Sequence, residues 1–289
     1  MGPEDLKSDE SIVVVDGIRL YVEDYGGDGG VLLFAHPTGF LGAVWRPIIR
    51  RLRARGFRGR IVTYDARGHG RSSKPDHGYA WPEMACDLLG LIRERRIERA
   101  LGVGHSGGAT TLALTQAEQP SSFRRLLMID PILLDPEHDA IPAGNDNPMA
   151  RRTETRRLVW SSRDEIFASY HSREPYDCWT RESLHAYIDF GTFLRPDGEV
   201  ELLCPGRIEA QIYRSALLAD PFSALRRLTV PVHMVRGERS MAFTEDRARR
   251  ALAAVSSARL TVAKDCAHFV PMEKADLVTD LILEEWGQG

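Results

Sequence analysis

A serine hydroxyl becomes a useful nucleophile when a base takes its proton and nearby donors hold the charge that develops on the attacked carbonyl. The sequence offers such a serine in Gly104-His105-Ser106-Gly107-Gly108. The spacing is G-x-S-x-G, directly after the β-rich run Ala100–Val103 and before a helical run from Gly107 to Gln119. A tight strand-to-helix turn leaves no room for Cβ atoms on either side of the nucleophile, which accounts for the flanking glycines. At the N-terminus of the helix, Ser106 would sit among free N–H groups that favour a developing oxyanion. The base candidate is His268, between the last predicted strand and the C-terminal helix. Histidine suits proton transfer near neutral pH.

A third stretch, His36-Pro-Thr-Gly-Phe40, ends the apolar run Val31–Ala35. Loops at the C-terminal ends of parallel strands build the sites of such sheets. The backbone N–H groups of Thr38 and Gly107 are therefore the candidate oxyanion donors.

These residues need a frame. The chain begins with two β-rich runs, Ile12–Val15 and Ile18–Asp24, around an Asp16-Gly17 turn, the pattern of a hairpin. Short continuous apolar runs follow at Val31–Ala35, Ile61–Tyr64, Ala100–Val103, Leu126–Ile129, Val230–Val235 and Leu260–Val262. Such runs suit strands buried on both faces of a parallel sheet. Helical patterns separate most of them, which predicts an α/β sheet with helices on both faces. The interval from Ile129 to Val230 breaks this rhythm. It opens with a loop holding Pro131, Pro136, Pro142 and Pro148, then shows helical stretches at Arg151–Ser161, Arg163–His171, Arg181–Phe190 and Gly206–Leu218. We read residues 131–221 as a mainly helical insertion on a core made of 1–130 and 222–289, since long structureless loops are uncommon in compact domains.

Four pieces stand in sequence order: His36-Pro-Thr-Gly, Asp65-Ala-Arg-Gly-His-Gly-Arg-Ser, Gly104-His-Ser-Gly-Gly and Ala267-His-Phe-Val-Pro-Met-Glu. On these the chain resembles the α/β-hydrolase superfamily over nearly its whole length. The resemblance implies a mostly parallel eight-stranded sheet flanked by helices, with the 131–221 interval as a mainly helical cap. It also implies a triad of Ser106, His268 and an acid. The motif at Asp65 reads as a structural turn, and His69 is given no catalytic role.

The acid departs from the common pattern. In most members it follows the strand matching Val230–Val235 as Gly-x-x-Asp, but here Arg236-Gly-Glu-Arg-Ser240 puts a serine there. A neutral hydroxyl cannot stabilise an imidazolium as a carboxylate does. The other family location is the end of the preceding strand, where Leu126-Leu-Met-Ile-Asp130 stands. Asp130 also preserves the chain order Ser, Asp, His. Glu238 and Asp246 are the alternatives, and a Ser–His pair without an acid is a further one.

The expected function is a serine hydrolase that cleaves carboxylic esters through an acyl-enzyme. The alternatives are a carbon–carbon bond hydrolase and a ligand receptor that retains the fold. By the resemblance, a serine nucleophile disfavours haloalkane dehalogenases and epoxide hydrolases. Nine of the 23 aromatic residues fall in the insertion, which suits an apolar pocket. His36, Phe40, His105, Trp160 and Trp179 are the candidate pocket residues.

Composition narrows the partners. The 289 residues are 43% hydrophobic and 27% charged, with net charge −3, which is ordinary globular composition. Mild acidity argues against nucleic acid and anionic membranes as partners. The polar start Met1–Glu10 lacks the apolar stretch of a secretory signal, and no apolar run approaches the roughly 18 residues of a membrane span. Four scattered cysteines without a CxxC pair suggest free thiols in a reducing, cytoplasmic setting. No metal-ligand spacing or dinucleotide fingerprint occurs, so no metal and no organic cofactor are expected. The expected partner is a small-molecule ester or acyl substrate, and a homodimer stays open.

Overall fold

In the computed structural model, which describes residues 6–135, 137–139, 144 and 147–288, the chain opens with an antiparallel hairpin. Its strands β1 (Asp9–Val15) and β2 (Ile18–Asp24) turn at Asp16 and Gly17, both at positive φ. Strands and helices then alternate: β3 (Val31–Ala35), α1 (Arg46–Ala54), β4 (Arg60–Tyr64), α2 (Trp81–Glu94), β5 (Ala100–His105), α3 (Gly107–Glu118) and β6 (Phe123–Ile129). Next come α4 (Pro148–Glu154), β7 (Val159–Trp160), α5 (Arg163–His171), α6 (Arg181–Phe190), β8 (Thr192–Leu194), β9 (Val200–Leu202) and α7 (Gly206–Ser215). The chain closes with α8 (Pro221–Arg226), β10 (Val232–Gly237), α9 (Glu245–Ala254), β11 (Ala258–Ala263), α10 (Val270–Glu273) and α11 (Ala275–Gly287).

Eight strands form one sheet in the order β1-β2-β4-β3-β5-β6-β10-β11. All neighbours from β4 to β11 run parallel, and only the β1–β2 and β2–β4 pairs are antiparallel. Every residue of β3 is buried, because its two faces are both covered. Leu32 and Phe34 pack towards Trp45 and Ile48 by α1 and Ile282 of α11, while Leu33 and Ala35 pack towards Leu88 of α2 and Leu112 of α3. That alternation is the period of two of a strand, applied to two apolar layers instead of one.

The interval between β6 and β10 is not helical throughout. Strands β7, β9 and β8 make a small antiparallel sheet. The helix expected over Arg151–Ser161 ends at Glu154, and Val159–Trp160 turns into strand. Two- and three-residue strands are too short for a periodic signal, so the sequence could not show them. Pro136 and Pro142, like Met1–Asp5, lie outside the described residues. All four cysteines are free thiols. Among the described residues, no helix is long and apolar enough to cross a membrane.

The junction of β5 and α3 is the tightest point of the frame. Ser106 has φ 55° and ψ −126°, a conformation that costs an L-residue on the order of 1–3 kcal/mol unless its surroundings enforce it. Here they do. A Cβ on Gly104 would lie 2.7 Å from the Cα of Ala109, and one on Gly108 would lie 2.4 Å from the carbonyl oxygen of Ala35. The Ser106 N–H donates to Ile129 O at 3.0 Å, so the turn is fastened to the end of β6. Because the contact at Gly108 is with main chain, Gly108→Ala should destabilise the fold by about 1–3 kcal/mol. Urea unfolding of the variant beside wild type measures this.

Candidate active site

Asp130 follows β6 and is fully buried. A carboxylate there must find its donors within the protein. It finds three. The Gly237 N–H donates to Oδ2 at 2.8 Å, and the Ser240 hydroxyl donates to Oδ1 at 2.6 Å. His268 Nδ1 meets the same Oδ1 at 2.7 Å. On the other edge of the ring, Nε2 lies 3.0 Å from Ser106 Oγ. With Nδ1–H given to the carboxylate, neutral His268 keeps the Nε2 lone pair for the serine proton. The arrangement can therefore deprotonate Ser106 and hold the resulting imidazolium against a buried negative charge.

The structure thus brings Ser106, His268 and Asp130 together and leaves the other acids apart. Glu238 is exposed and accepts the Asp265 N–H at 3.0 Å. Asp246 is exposed and paired with Arg250 at 3.0 Å and with Arg249. Ser240 occupies the position where most members carry the acid, and it donates to Asp130 instead. Its Oγ accepts the N–H groups of Ala242 and Phe243, each at 3.2 Å, which leaves its proton free for Asp130. The sequence signal for this role was the serine itself at that position.

Thr38 and Gly107 lie side by side, since a Cβ on Gly107 would fall 2.7 Å from Thr38 Oγ1. Neither backbone N–H is matched to an acceptor among the described residues. The loop carrying Thr38 is held from below by two buried histidines. His69 Nε2 accepts the Gly39 N–H at 3.0 Å while its Nδ1–H donates to Arg67 O at 2.9 Å. His36 Nδ1–H donates to Pro37 O at 2.8 Å, and its Nε2 accepts the Ala66 N–H at 2.9 Å. Asp65 ties the same two loops by accepting the N–H groups of Gly42 and Arg71, each at 2.8 Å. His36, expected in the pocket, is therefore a loop support with both ring nitrogens committed to backbone. His69, read as part of a structural turn, positions the loop that carries Thr38.

His105 is also fully buried, and its Nε2–H donates to His268 O at 2.8 Å. It braces the main chain of His268 from beneath the site. Of the other pocket candidates, Phe40 and Trp179 form a ring cluster with Phe269, at centroid distances of 5.4, 5.1 and 5.7 Å. Phe269 in turn packs on His268 at 5.0 Å, so apolar surface reaches the base. Trp160 packs against Tyr170 at 5.8 Å and under the Arg157 guanidinium at 4.0 Å. Among the described residues, Asp135, Glu137 and His138 could bring donor atoms to a cation. They share no hydrogen bond with the Ser106–His268–Asp130 chain.

Burial pushes His36, His69 and His105 below the ordinary histidine value of 6.5, the last two strongly. For His69 the nearby His36 adds to this, and for His105 the nearby His268 does. The unfolded chain binds these protons more readily than the folded one. Stability is then fully present above about pH 7 and is lost as pH falls through 6.5 towards the folded-state values, each ring approaching about 1.4 kcal/mol per pH unit. His69→Gln should lower that acid-side slope by about a third, read from urea unfolding between about pH 5 and pH 7. Ser240→Ala removes a hydrogen bond to a buried charge and should cost about 1.5–3 kcal/mol in the same assay.

Comparison with known proteins places the chain in a family. The sequence profile described as Alpha/beta hydrolase family matches residues 32–281. The chain is 32% identical over 241 residues to a 2-(acetamidomethylene)succinate hydrolase of Mesorhizobium japonicum, covering 82% of this chain and 81% of that protein. A crystal structure of E-2-(acetamidomethylene)succinate hydrolase superposes with a TM-score of 0.82 at 26% identity, over 96% of this chain and 98% of the other. A thioesterase domain from the curacin biosynthetic pathway shares the fold, with a TM-score of 0.79 at 18% identity over 96% and 99% of the two chains. The matched profile spans the strand that precedes Ser106, the insertion and the loop of His268, and the chain belongs to the alpha/beta hydrolase family.

Proposed function

We propose that this chain is a serine hydrolase that cleaves small-molecule carboxylic esters through an acyl-enzyme, with Ser106, His268 and Asp130 as its triad. The observation that carries the reading is the unbroken pair of contacts, 3.0 Å from Ser106 Oγ to His268 Nε2 and 2.7 Å from His268 Nδ1 to Asp130. Ser106 Oγ bonds to the ester carbonyl carbon while its proton passes to His268 Nε2. The carbonyl oxygen becomes the oxyanion, facing the N–H groups of Thr38 and Gly107. The carbon–alkoxy bond breaks, and the alcohol leaves with the proton from His268. Water then gives its proton to His268 and attacks the acyl carbon, and the proton returns to Ser106 as the acid departs. The chain supplies nucleophile, base, acid and oxyanion donors from its own residues.

Residues 131–221 act as the cap in this reading. The insertion brings Trp179 against Phe40 and Phe269, an apolar wall suited to an acyl or aryl group. A second reading follows from the relative whose name gives 2-(acetamidomethylene)succinate as its substrate. The same triad can open an acyl–nitrogen or carbon–carbon bond, because only the leaving group changes.

Steady-state hydrolysis of p-nitrophenyl esters of graded acyl length tests the reading. Wild type should turn over many times, Ser106→Ala should not, and Asp130→Asn should keep its fold while losing up to about 10⁴-fold in kcat. One equivalent of p-nitrophenol without turnover would instead mark a receptor. Silence from folded wild type would reject the ester and favour the second reading.

A further inference from the structure

Gly107 is the second variable position of G-x-S-x-G, where the motif itself demands no glycine. The structure gives it a reason. Beside it stands Trp81, the first residue of α2, which is 3% exposed. Its indole Nε1–H is buried and meets no acceptor. From the point a Cβ would occupy on Gly107, Trp81 Nε1 lies 3.0 Å away and Thr38 Oγ1 lies 2.7 Å away. Two side-chain donors from separate elements thus converge over the Cα of the residue after the nucleophile. An indole N–H can only donate; those of Trp45, Trp160 and Trp179 are also buried without an acceptor, and of the four it is Trp81 that stands against Gly107.

We propose that Trp81 Nε1 and Thr38 Oγ1 form a subsite for a second substrate oxygen adjacent to the reacting carbonyl, and so select acyl groups oxygenated at the α carbon. The inference rests on Ser106 being the nucleophile. The reacting oxygen belongs to the backbone N–H groups of Thr38 and Gly107. An acceptor held by the two side chains lies next to it, against Gly107, at the spacing of oxygens on neighbouring carbons. A carbonyl, ether or carboxylate oxygen satisfies the indole, whereas a methylene leaves it unpaired. Tyr79, Ile208 and Ile212 pack in one cluster with Trp81. A side chain at 107 would collide with Thr38 Oγ1.

The test compares p-nitrophenyl methoxyacetate with p-nitrophenyl butyrate, which differ by oxygen for methylene. The ratio of their kcat/KM values, divided by the ratio of their hydroxide-catalysed rates, cancels intrinsic reactivity. Wild type should favour the methoxy ester, and Trp81→Phe and Thr38→Val should each lower the normalised ratio by about tenfold, as loss of one hydrogen bond predicts. A structural defect would slow both esters alike and leave the ratio in place. An unchanged ratio in both variants overturns the proposal. Equal loss on both esters does so too, and assigns Trp81 to the oxyanion or to packing. If wild type hydrolyses neither ester, the ester reading fails, and the subsite is judged on phosphonylation. The probes are then the p-nitrophenyl ethyl esters of methoxymethyl- and propylphosphonate. Ser106 Oγ displaces p-nitrophenolate from phosphorus in one step, with its proton passing to His268. The same tenfold preference and its loss in the variants are expected. No preference, or no labelling of Ser106, overturns the subsite.

Discussion

A carboxylate that water cannot reach organises this molecule. Asp130 has no exposed surface and takes donors from three separate places, the end of β10, the turn beyond it and the loop after β11. Those donors meet only if β6, β10 and β11 lie in parallel register with their C-terminal ends level. The register supplies this, pairing Ile129 with Val235 and Gly237 with Ala263. A slip of one residue would turn every alternate side chain to the other face and leave a charge buried without partners, which costs several kcal/mol. The chemistry and the strand order are therefore one constraint. The same holds across β5, where Ser106 N–H is bound to the carbonyl of Ile129, the residue before the acid.

Much of this was legible in the sequence because parallel strands covered on both faces advertise themselves. Val31–Ala35 and Leu126–Ile129 have no polar residue to confuse their reading, and each became a strand. The turn at Ser106 was legible for a related reason, since close main-chain contacts at Gly104 and Gly108 admit no side chain. Asp130 could be ranked above its rivals but not separated from them. Its advantage is a hydrogen-bond partnership between residues 138 positions apart, and no local pattern encodes that distance. Glu238 and Asp246 are nearer the usual position in sequence, yet both point into solvent-exposed pairings.

The roles that stayed hidden belong to residues whose function is to support another. Ser240 reads as a lost acid until its hydroxyl is seen donating to Asp130. His69 reads as turn filler until its ring accepts the Gly39 N–H. His36 has the types and place of a pocket residue, but backbone groups consume both its nitrogens. A side chain's type states which bonds it can make, whereas only the packed structure states which partners remain. The three short strands between β6 and β10 were illegible for a different reason. Strands of two or three residues are set by tertiary pairing with one another, not by a pattern of their own.

The polar groups around Ser106 fall into two classes that differ in what they lack. Below the serine most polar groups are paired, with His105 Nδ1 an exception. Asp130 is saturated, Ser240 has acceptor and donor roles filled, and His36 and His69 use both ring nitrogens. Such a network resists rearrangement, because any movement exposes an unpaired buried group. Above the serine the N–H groups of Thr38 and Gly107 and the indole of Trp81 stand without acceptors. The side chains of Thr38 and Trp81 gather at Gly107, the residue after Ser106. The saturated side fixes the geometry before anything binds, and in the proposed reaction the unsaturated side would meet the substrate oxygens. In the proposed reaction, that division would let a rigid sheet stabilise a charge that exists only briefly, since the donors are in place before it forms.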